Sequence, residues 1–150
     1  MRIPLTKNFS VQDVQRSEYA AKHHIDNVLP SIYYMNALNV GNNILEPVMA
    51  KFGEFFPQSW YRGESLNKAI GGSKKSQHMT ASAVDFEIKG HSNLEVAQWI
   101  RDNIDFDQLI LERHTPGDPY SGWVHCSWSK ENNRKECLRY NGKEYLKGLE

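Results

Sequence analysis

The sequence predicts an α+β fold in which amino-terminal helices pack on a mostly antiparallel sheet. Two observations support this prediction: apolar residues recur at helical intervals in the first third of the chain, and short alternating segments follow in the second half. Helices that come first and strands that come later, with one helix between the strands, are typical of this class. The 150 residues show no repeat and no linker, so we expect one domain over residues 1–150.

The helices are predicted mainly in the first half of the chain. Ser10 is a suitable N-cap for the segment Val11 to His24, whose mixed polarity indicates one or two short surface helices. Between Pro30 and Gly53, apolar residues recur at near-helical spacing, which predicts the helix that fills the core. Gly41 and Pro47 lie inside this segment, and we expect them to kink or split the helix.

The later elements are predicted from a change of period. Apolar and polar residues begin to alternate, and aromatic residues become frequent, which indicates strands. The predicted elements are a strand from Phe55 to Tyr61, a turn or short helix from Leu66 to Ile70, a strand from Ala83 to Ile88, a helix from Asn93 to Asn103, and strands from Gln108 to Glu112 and from Trp123 to Trp128.

The charge balance and hydropathy argue against several classes of partner. Lys plus Arg and Asp plus Glu are 18 each, so the net charge is zero and no overall field attracts nucleic acid or anionic lipid. No apolar run approaches the roughly 20 residues that a membrane helix needs. We therefore expect neither nucleic acid nor a membrane as a partner. A monomer is the simplest expectation for one small neutral domain.

The first residues of the chain and the two cysteines indicate the cellular compartment to expect. Met1 to Lys7 lack the apolar stretch of a secretory signal, so we expect a protein that stays in a cytoplasm or is released by another route. Cys126 and Cys137 lack CxxC spacing, which leaves free thiols, one disulfide or metal ligation open. A reducing compartment favours two free thiols.

A candidate metal centre combines residues from two stretches, Ser76 to Asp85 and Trp123 to Ser127. His78 is predicted in a loop, Asp85 in one strand and His125 in another, so the three side chains can converge on one cation and leave a coordination position open for water. Imidazole and carboxylate ligands suit zinc, and the absence of a CxxC pair argues against a closed thiolate site. The sequence therefore predicts a catalytic zinc (Zn²⁺) site.

These stretches resemble a known family of metallopeptidases. Its pattern is Ser-x-His-x-x-Gly-x-Ala-x-Asp followed by Trp-x-His, and Ser76, His78, Ala83, Asp85 and His125 fall on that pattern. The family comprises zinc D-alanyl-D-alanine carboxypeptidases, D,D-dipeptidases and phage L-alanyl-D-glutamate endolysins, with the hedgehog/LAS-type fold. Further segments that resemble its compact phage-type branch are Lys7 to Ser10, Ser17 to Ala21 and Ile25 to Asn27. The resemblance implies that residues 1–150 form a single peptidase catalytic domain.

The chain departs from this pattern at two positions. Ala81 stands where the family usually has glycine, and Gly122 stands where many relatives carry the catalytic acid, three residues before the last histidine. An alanine would be strained if the backbone at residue 81 requires a positive φ. We expect Glu112, at the end of an adjacent predicted strand, to replace the missing acid. The alternative is an exposed carboxylate paired with Arg113 or Lys130.

The resemblance also implies roles for residues around the metal. Arg62 occupies the position of a substrate-binding arginine, and we expect it to act in catalysis by pairing with a substrate carboxylate or holding the oxyanion; a structural salt bridge to Glu64 or Asp85 is the alternative. Ser76 and Gln77 are expected to bind substrate or support the metal ligands. Peptidoglycan stem peptides, which contain D-residues with free carboxylates, are the implied substrate.

Three functions remain open at this point. The preferred hypothesis is a phage endolysin or virion-associated lysin, located in the host cytoplasm before release to the cell wall or on the virion. The second is a bacterial D,D-carboxypeptidase or D,D-dipeptidase of wall remodelling. The third is a metal-bound domain without catalytic activity, because Gly122 removes the usual acid.

Overall fold

Five of the six α-helices lie in the first half of the chain, and the strands lie in the second half with α6 between them, which confirms the α+β prediction. The structure is a computed structural model that describes all residues, 1–150. The helices are α1 (Val11–Gln15), α2 (Glu18–Lys22), α3 (Tyr34–Val40), α4 (Glu46–Phe52), α5 (Glu64–Ala69) and α6 (Asn93–Asn103). The strands are β1 (Ala83–Phe86), β2 (Gln108–Glu112), β3 (Trp123–Ser127), β4 (Glu136–Tyr140) and β5 (Tyr145–Lys147).

The first helix begins where the sequence predicts. The Ser10 side chain accepts a hydrogen bond from the Asp13 amide, and the Asp13 carboxylate accepts one from the Ser10 amide, which is a capping box. Arg2 and Arg16 each donate to the same carboxylate at 2.7 Å. The buried carboxylate of Asp13 is therefore fully paired, and it ties the amino terminus to α1.

The core helix is continuous but changes its pitch, at the place that Gly41 and Pro47 indicate. A π-helical turn, Gly41–Leu45, joins α3 to α4, and the Glu46 amide donates to the Gly41 carbonyl. The wider turn accommodates Pro47, which has no amide hydrogen to give to the helix. Val40, Ile44 and Val48 are fully buried at intervals of four residues, so one stripe of this helix faces the core.

The predicted strand from Phe55 to Tyr61 is wrong. Only an isolated bridge between Ser59 and Asp85 forms there. The backbone of this segment bonds in turn to several elements, since the Tyr61 amide donates to Val14 and the Arg62 amide donates to His78. Pro57 has no amide hydrogen for a strand ladder, and the aromatic residues that suggested a strand instead fill the core, where Trp60 is fully buried.

The five-stranded sheet has the order β1-β3-β2-β4-β5. β1 pairs with β3 and β3 with β2 in antiparallel fashion, β4 joins β2 in parallel, and β5 pairs with β4 in antiparallel fashion. The sheet is thus mostly antiparallel, as predicted. The sequence did not predict β4 or β5 as elements.

One face of the sheet packs against the core, and the other lines a cleft. Leu109, Leu111 and Val124 point to the core and are fully buried. α6 packs near β2 and β3. Residues at alternate positions, such as Ile110 and His125, point to the opposite face and line an open cleft. One sheet therefore stabilises the fold with one face and builds a site with the other.

The cysteines agree with the preferred prediction of free thiols. Cys126 on β3 and Cys137 on β4 both pair with Leu109 of β2, from opposite sides, and neither forms a disulfide. Two strand spacings of about 4.8 Å exceed the Cα separation that a disulfide allows. No helix combines the length and the apolar character required to cross a membrane.

A pair of leucine substitutions tests the assignment of the two faces. Leu111→Ala is expected to lower the free energy of unfolding by about 2–5 kcal/mol, because it leaves a cavity in the core. Leu138→Ala is the matched control on the cleft face, where the side chain is only partly buried, and it is expected to cost clearly less. Urea denaturation of both variants measures the difference. Equal costs would contradict the assignment.

Candidate metal centre

Three elements bring His78, Asp85 and His125 together. Asp85 on β1 and His125 on β3 are direct cross-strand partners, so their side chains share one face of the sheet. His78 lies in a 3-10 turn, Gln77–Thr80, which precedes β1. The side chain of Ser76 caps this turn by accepting a hydrogen bond from the His78 amide at 3.2 Å.

The turn that carries His78 explains the glycine of the family pattern. Ala81 ends the turn with φ 59° and ψ 26°, a left-handed conformation, and its side chain is fully buried. Glycine adopts this conformation without steric strain, whereas alanine does not. The strain expected for Ala81 is therefore present. This strained conformation reverses the direction of the chain between His78 and β1.

The donor atoms lie at distances that suit one zinc ion. His78 Nε2 is 3.2 Å from Asp85 Oδ2, His125 Nδ1 is 2.9 Å from Asp85 Oδ1, and suitable atoms of all three residues lie within 4.8 Å of one another. Tetrahedral ligands about 2.0–2.1 Å from zinc are separated by about 3.3 Å. Two imidazoles and one carboxylate at this spacing fit a zinc ion with a fourth position open.

The ring of His78 is oriented for metal binding by the backbone. Its Nδ1 lies 2.8 Å from the carbonyl oxygen of Trp60. A carbonyl only accepts hydrogen bonds, so Nδ1 carries a proton and donates to it, and Nε2 is the ring nitrogen that faces Asp85. Metal-binding histidines are commonly held by such a bond on the second ring nitrogen. The side chain of His78 is only 3% exposed, which further restricts the ring.

The electrostatics keep Asp85 in the ionised form that a metal ligand needs. Burial alone raises the pKa of Asp85, but the neighbouring His78 and His125 outweigh it, and the net pKa lies well below the usual value. A metal ion would act on the pKa in the same direction as the imidazoles. Asp85 therefore stays negative in the neutral range of pH.

The three residues lie in a cleft of about 510 Å³, which Glu112 also lines. Ile110 pairs with His125, and Glu112 follows two residues later on the same face of β2. Burial raises the pKa of Glu112, although His125 opposes this shift. No ion pair of the structure includes Glu112, so neither Arg113 nor Lys130 neutralises it. Glu112 thus stands beside the metal centre as a carboxylate without a protein partner.

The structure gives a steric reason for the glycine at position 122. Gly122 has φ 69°, and a Cβ atom on it would lie 1.7 Å from the backbone oxygen of Glu112. Real atoms do not approach so closely, so this backbone excludes every side chain there. The backbone of Glu112, the residue that we expect to act as the acid, therefore prevents any side chain at position 122, where many relatives carry that acid.

Arg62 is fixed at the wall of the cleft by neutral partners. Its Nε donates to Asn67 Oδ1 at 3.0 Å and its Nη2 to Ser76 Oγ at 3.2 Å. The alternative salt bridge to Glu64 or Asp85 does not form. Burial lowers the pKa of the guanidinium, while the charges of Asp85 and Glu112 raise it. The guanidinium faces the cleft as a positioned cation.

Ser76 and Gln77 line the cleft, and both already have protein partners. Ser76 Oγ accepts from Arg62 and from the His78 amide. Gln77 Nε2 donates to Asp107 at 2.9 Å. Their expected contact with substrate stays a prediction.

Sequence reasoning missed several residues that build the cleft. Asn67 orients Arg62, and Asp107 holds Gln77. Tyr140 and Tyr145 form one wall with stacked rings 4.5 Å apart. None of them carries a local signal, because Asp107 and its partner Gln77 are 30 positions apart and the tyrosines meet only through the pairing of β4 with β5.

Two histidines and one carboxylate beside an open cleft form a ligand arrangement that catalytic zinc sites use, so the fold and the site indicate a metal-dependent enzyme. The chain belongs to the peptidase M15 family, because the family model described as Peptidase M15 matches residues 7–127. The protein is therefore a metallopeptidase of a zinc-dependent family, and the resemblance to this family read from the sequence is confirmed. A comparison with curated proteins gives no match. Strands β4 and β5 lie outside the matched range.

The metal ligands are tested by zinc binding. The wild-type protein is expected to bind one zinc ion per chain, and zinc at 100 times its dissociation constant stabilises the fold by about 2.7 kcal/mol. His125→Ala is expected to lose this stabilisation, whereas His91→Ala, a surface control outside the cluster, keeps it. Thermal unfolding with and without zinc provides the measurement. An equal zinc response in both variants would remove His125 from the site.

Proposed function

We propose that the protein hydrolyses peptide bonds at D-amino acids in the stem peptides of peptidoglycan, as a phage endolysin or virion-associated lysin. The observation that carries this proposal is the convergence of a metal centre, an unpaired carboxylate and a fixed cation in one cleft, at His78, Glu112 and Arg62. Membership of the peptidase M15 family supports the class of reaction. With this role we propose the host cytoplasm before release, or the virion, as the location.

The metal supplies the Lewis acid of the reaction. Zinc, when bound, lowers the pKa of a water molecule and polarises the scissile carbonyl. His78, Asp85 and His125 would hold it, and the cleft that these residues line is open to water and substrate.

Glu112 carries the proton in this mechanism. Its carboxylate accepts a proton from the attacking water and returns that proton to the amine that leaves. A carboxylate whose pKa is raised by burial is a better base and a more useful acid near neutral pH than an ordinary one. The absence of an ion pair leaves both of its oxygens available for this exchange.

Arg62 supplies recognition of a substrate anion. A guanidinium held by Asn67 and Ser76 loses little further freedom when it pairs with a carboxylate, and such a pair is frequently bidentate. Stem peptides present free carboxylates on D-residues close to the bonds that these enzymes cleave. This complementarity favours stem peptides over generic peptides as substrates.

Two other functions remain as outcomes of the test. A D,D-carboxypeptidase or D,D-dipeptidase of bacterial wall remodelling would use the same residues on a different bond. A metal-bound domain without activity would bind zinc but leave muropeptides intact.

Digestion of purified peptidoglycan tests the proposed reaction. The wild-type protein is expected to release peptide fragments, to stop when a chelator removes the metal, and to resume when zinc is restored. Mass spectrometry of the fragment ends identifies the bond and separates endopeptidase from carboxypeptidase action. Intact muropeptides in the presence of bound zinc would establish the inactive domain instead.

The role of Glu112 is tested by Glu112→Gln. The amide cannot accept the proton, so kcat is expected to fall about 10²–10⁴-fold while zinc binding persists. Glu95→Gln on the exposed side of α6 is the matched control and is expected to retain full activity. Steady-state kinetics on a soluble muropeptide measure both variants. Retained turnover in Glu112→Gln would assign the acid to another group.

The role of Arg62 is tested with two substrates. Arg62→Lys removes the bidentate geometry, so KM is expected to rise for a stem peptide with free carboxylates. The same peptide with amidated carboxylates is expected to be a poor substrate of the wild type and to lose little more with the variant. A variant that slows both peptides by the same factor would show that Arg62 does not read the carboxylate.

A further inference from the structure

A further buried carboxylate, Asp107, is hydrogen-bonded to Gln77, the residue that precedes His78, without being one of the candidate metal ligands. It occupies the position directly before β2, and only 3% of the residue is exposed. Its amide donates to the carbonyl of Ser127, the last residue of β3, at 2.8 Å. Asp107 is therefore attached to the strand that carries His125.

The carboxylate of Asp107 also reaches the turn that carries His78. Oδ2 accepts a hydrogen bond of 2.9 Å from the side-chain amide of Gln77, which immediately precedes His78. Gln77 is the first residue of that turn, and its carbonyl accepts from the Ser82 amide, where the turn ends. One carboxylate thus connects the elements of two metal ligands that are far apart in sequence.

Arg134 holds this carboxylate in a fixed orientation. Its Nε donates to Asp107 Oδ1 at 2.8 Å, its Nη2 donates to Oδ2 at 2.9 Å, and its backbone amide adds a third bond at 3.1 Å. The paired guanidinium lowers the pKa of Asp107, so the carboxylate remains ionised and acts only as an acceptor. A buried carboxylate that is fully satisfied in this way is a rigid anchor.

We propose that Asp107, acting through Gln77, is a positioning residue that fixes the His78 turn for zinc binding. The inference rests on the metal centre proposed at His78, Asp85 and His125. Without the bond from Gln77 the turn is held to the sheet edge by fewer contacts, and the Nε2 atom of His78 is less well placed relative to Asp85. Metal affinity falls about 10–100-fold when such supporting bonds of metal sites are removed.

The chain offers a closely matched control for this proposal. Gln108 also lines the cleft, and its side-chain amide also donates to a carboxylate, that of Glu136, at 2.6 Å. It lies on β2 and makes no hydrogen bond to the His78 turn. Gln77→Leu and Gln108→Leu therefore each remove one amide-to-carboxylate bond, but only the first bond belongs to the turn.

The experiment measures zinc affinity in the absence of substrate, by competition with a chromogenic chelator. Gln77→Leu is expected to raise the dissociation constant for zinc about 10-fold or more, whereas Gln108→Leu leaves it unchanged. Saturating zinc is expected to restore most of the turnover of Gln77→Leu. In a double-mutant cycle, Asp107→Ala weakens zinc binding in the wild-type background and adds little in the Gln77→Leu background.

Three results would overturn the inference, and each has a different meaning. Wild-type zinc affinity in Gln77→Leu together with a raised KM would make Gln77 a substrate contact. Additive effects of Asp107→Ala and Gln77→Leu would show that Asp107 acts by another route. A wild-type protein that binds no zinc would overturn the metal centre itself, and this outcome is distinguishable because it precedes any variant.

Discussion

The cross-strand pairing of Asp85 with His125 is the constraint on which the rest of the site depends. Residues that are directly opposite each other in an antiparallel pair have Cβ atoms about 4.5–5.5 Å apart on the same face. That spacing brings a carboxylate and an imidazole within reach of one metal ion without any loop. A shift of the β1–β3 register by one residue would place the two side chains on opposite faces of the sheet, so that one of them would point into the core. The register of the core leucines and valines therefore also positions the metal ligands.

The third candidate ligand, His78, does not lie on the sheet and is positioned by its own turn and by the backbone of Trp60. Ser76 caps its turn, Ala81 reverses the chain in a left-handed conformation, and the Trp60 carbonyl selects the tautomer. One of these features is unfavourable in itself, because a buried alanine with a positive φ is strained. The strained residue remains tolerable because the surrounding contacts over-determine the turn. The site therefore combines two ligands from a robust framework with one from a segment that needs extra support.

The sequence predicts the class of fold and the metal ligands because both leave local patterns. Periodicity locates α6, β2 and β3 within a residue or two of their observed bounds. The motif around His78 and Asp85 identifies these two residues as candidate metal ligands. Prediction from the sequence fails where contacts between distant parts of the chain determine the local structure. The aromatic residues of 55–61 fill the core instead of forming a strand, and the two strands beyond residue 127 become recognisable only by their pairing. The bond between Gln77 and Asp107 is likewise invisible until the fold brings them together.

The proposed transfer of the acid from position 122 to Glu112 has a steric explanation. The Cβ of any side chain at position 122 would collide with the backbone oxygen of Glu112. With β2 in its present position, residue 122 therefore cannot be the acid of the family pattern. The glycine and the glutamate are consequently two parts of one arrangement. Moving the acid back to position 122 requires a displacement of the end of β2, which would also move Ile110, the cross-strand partner of His125. A carboxylate on β2 avoids this conflict, because Glu112 already points into the cleft on the face that holds the metal ligands.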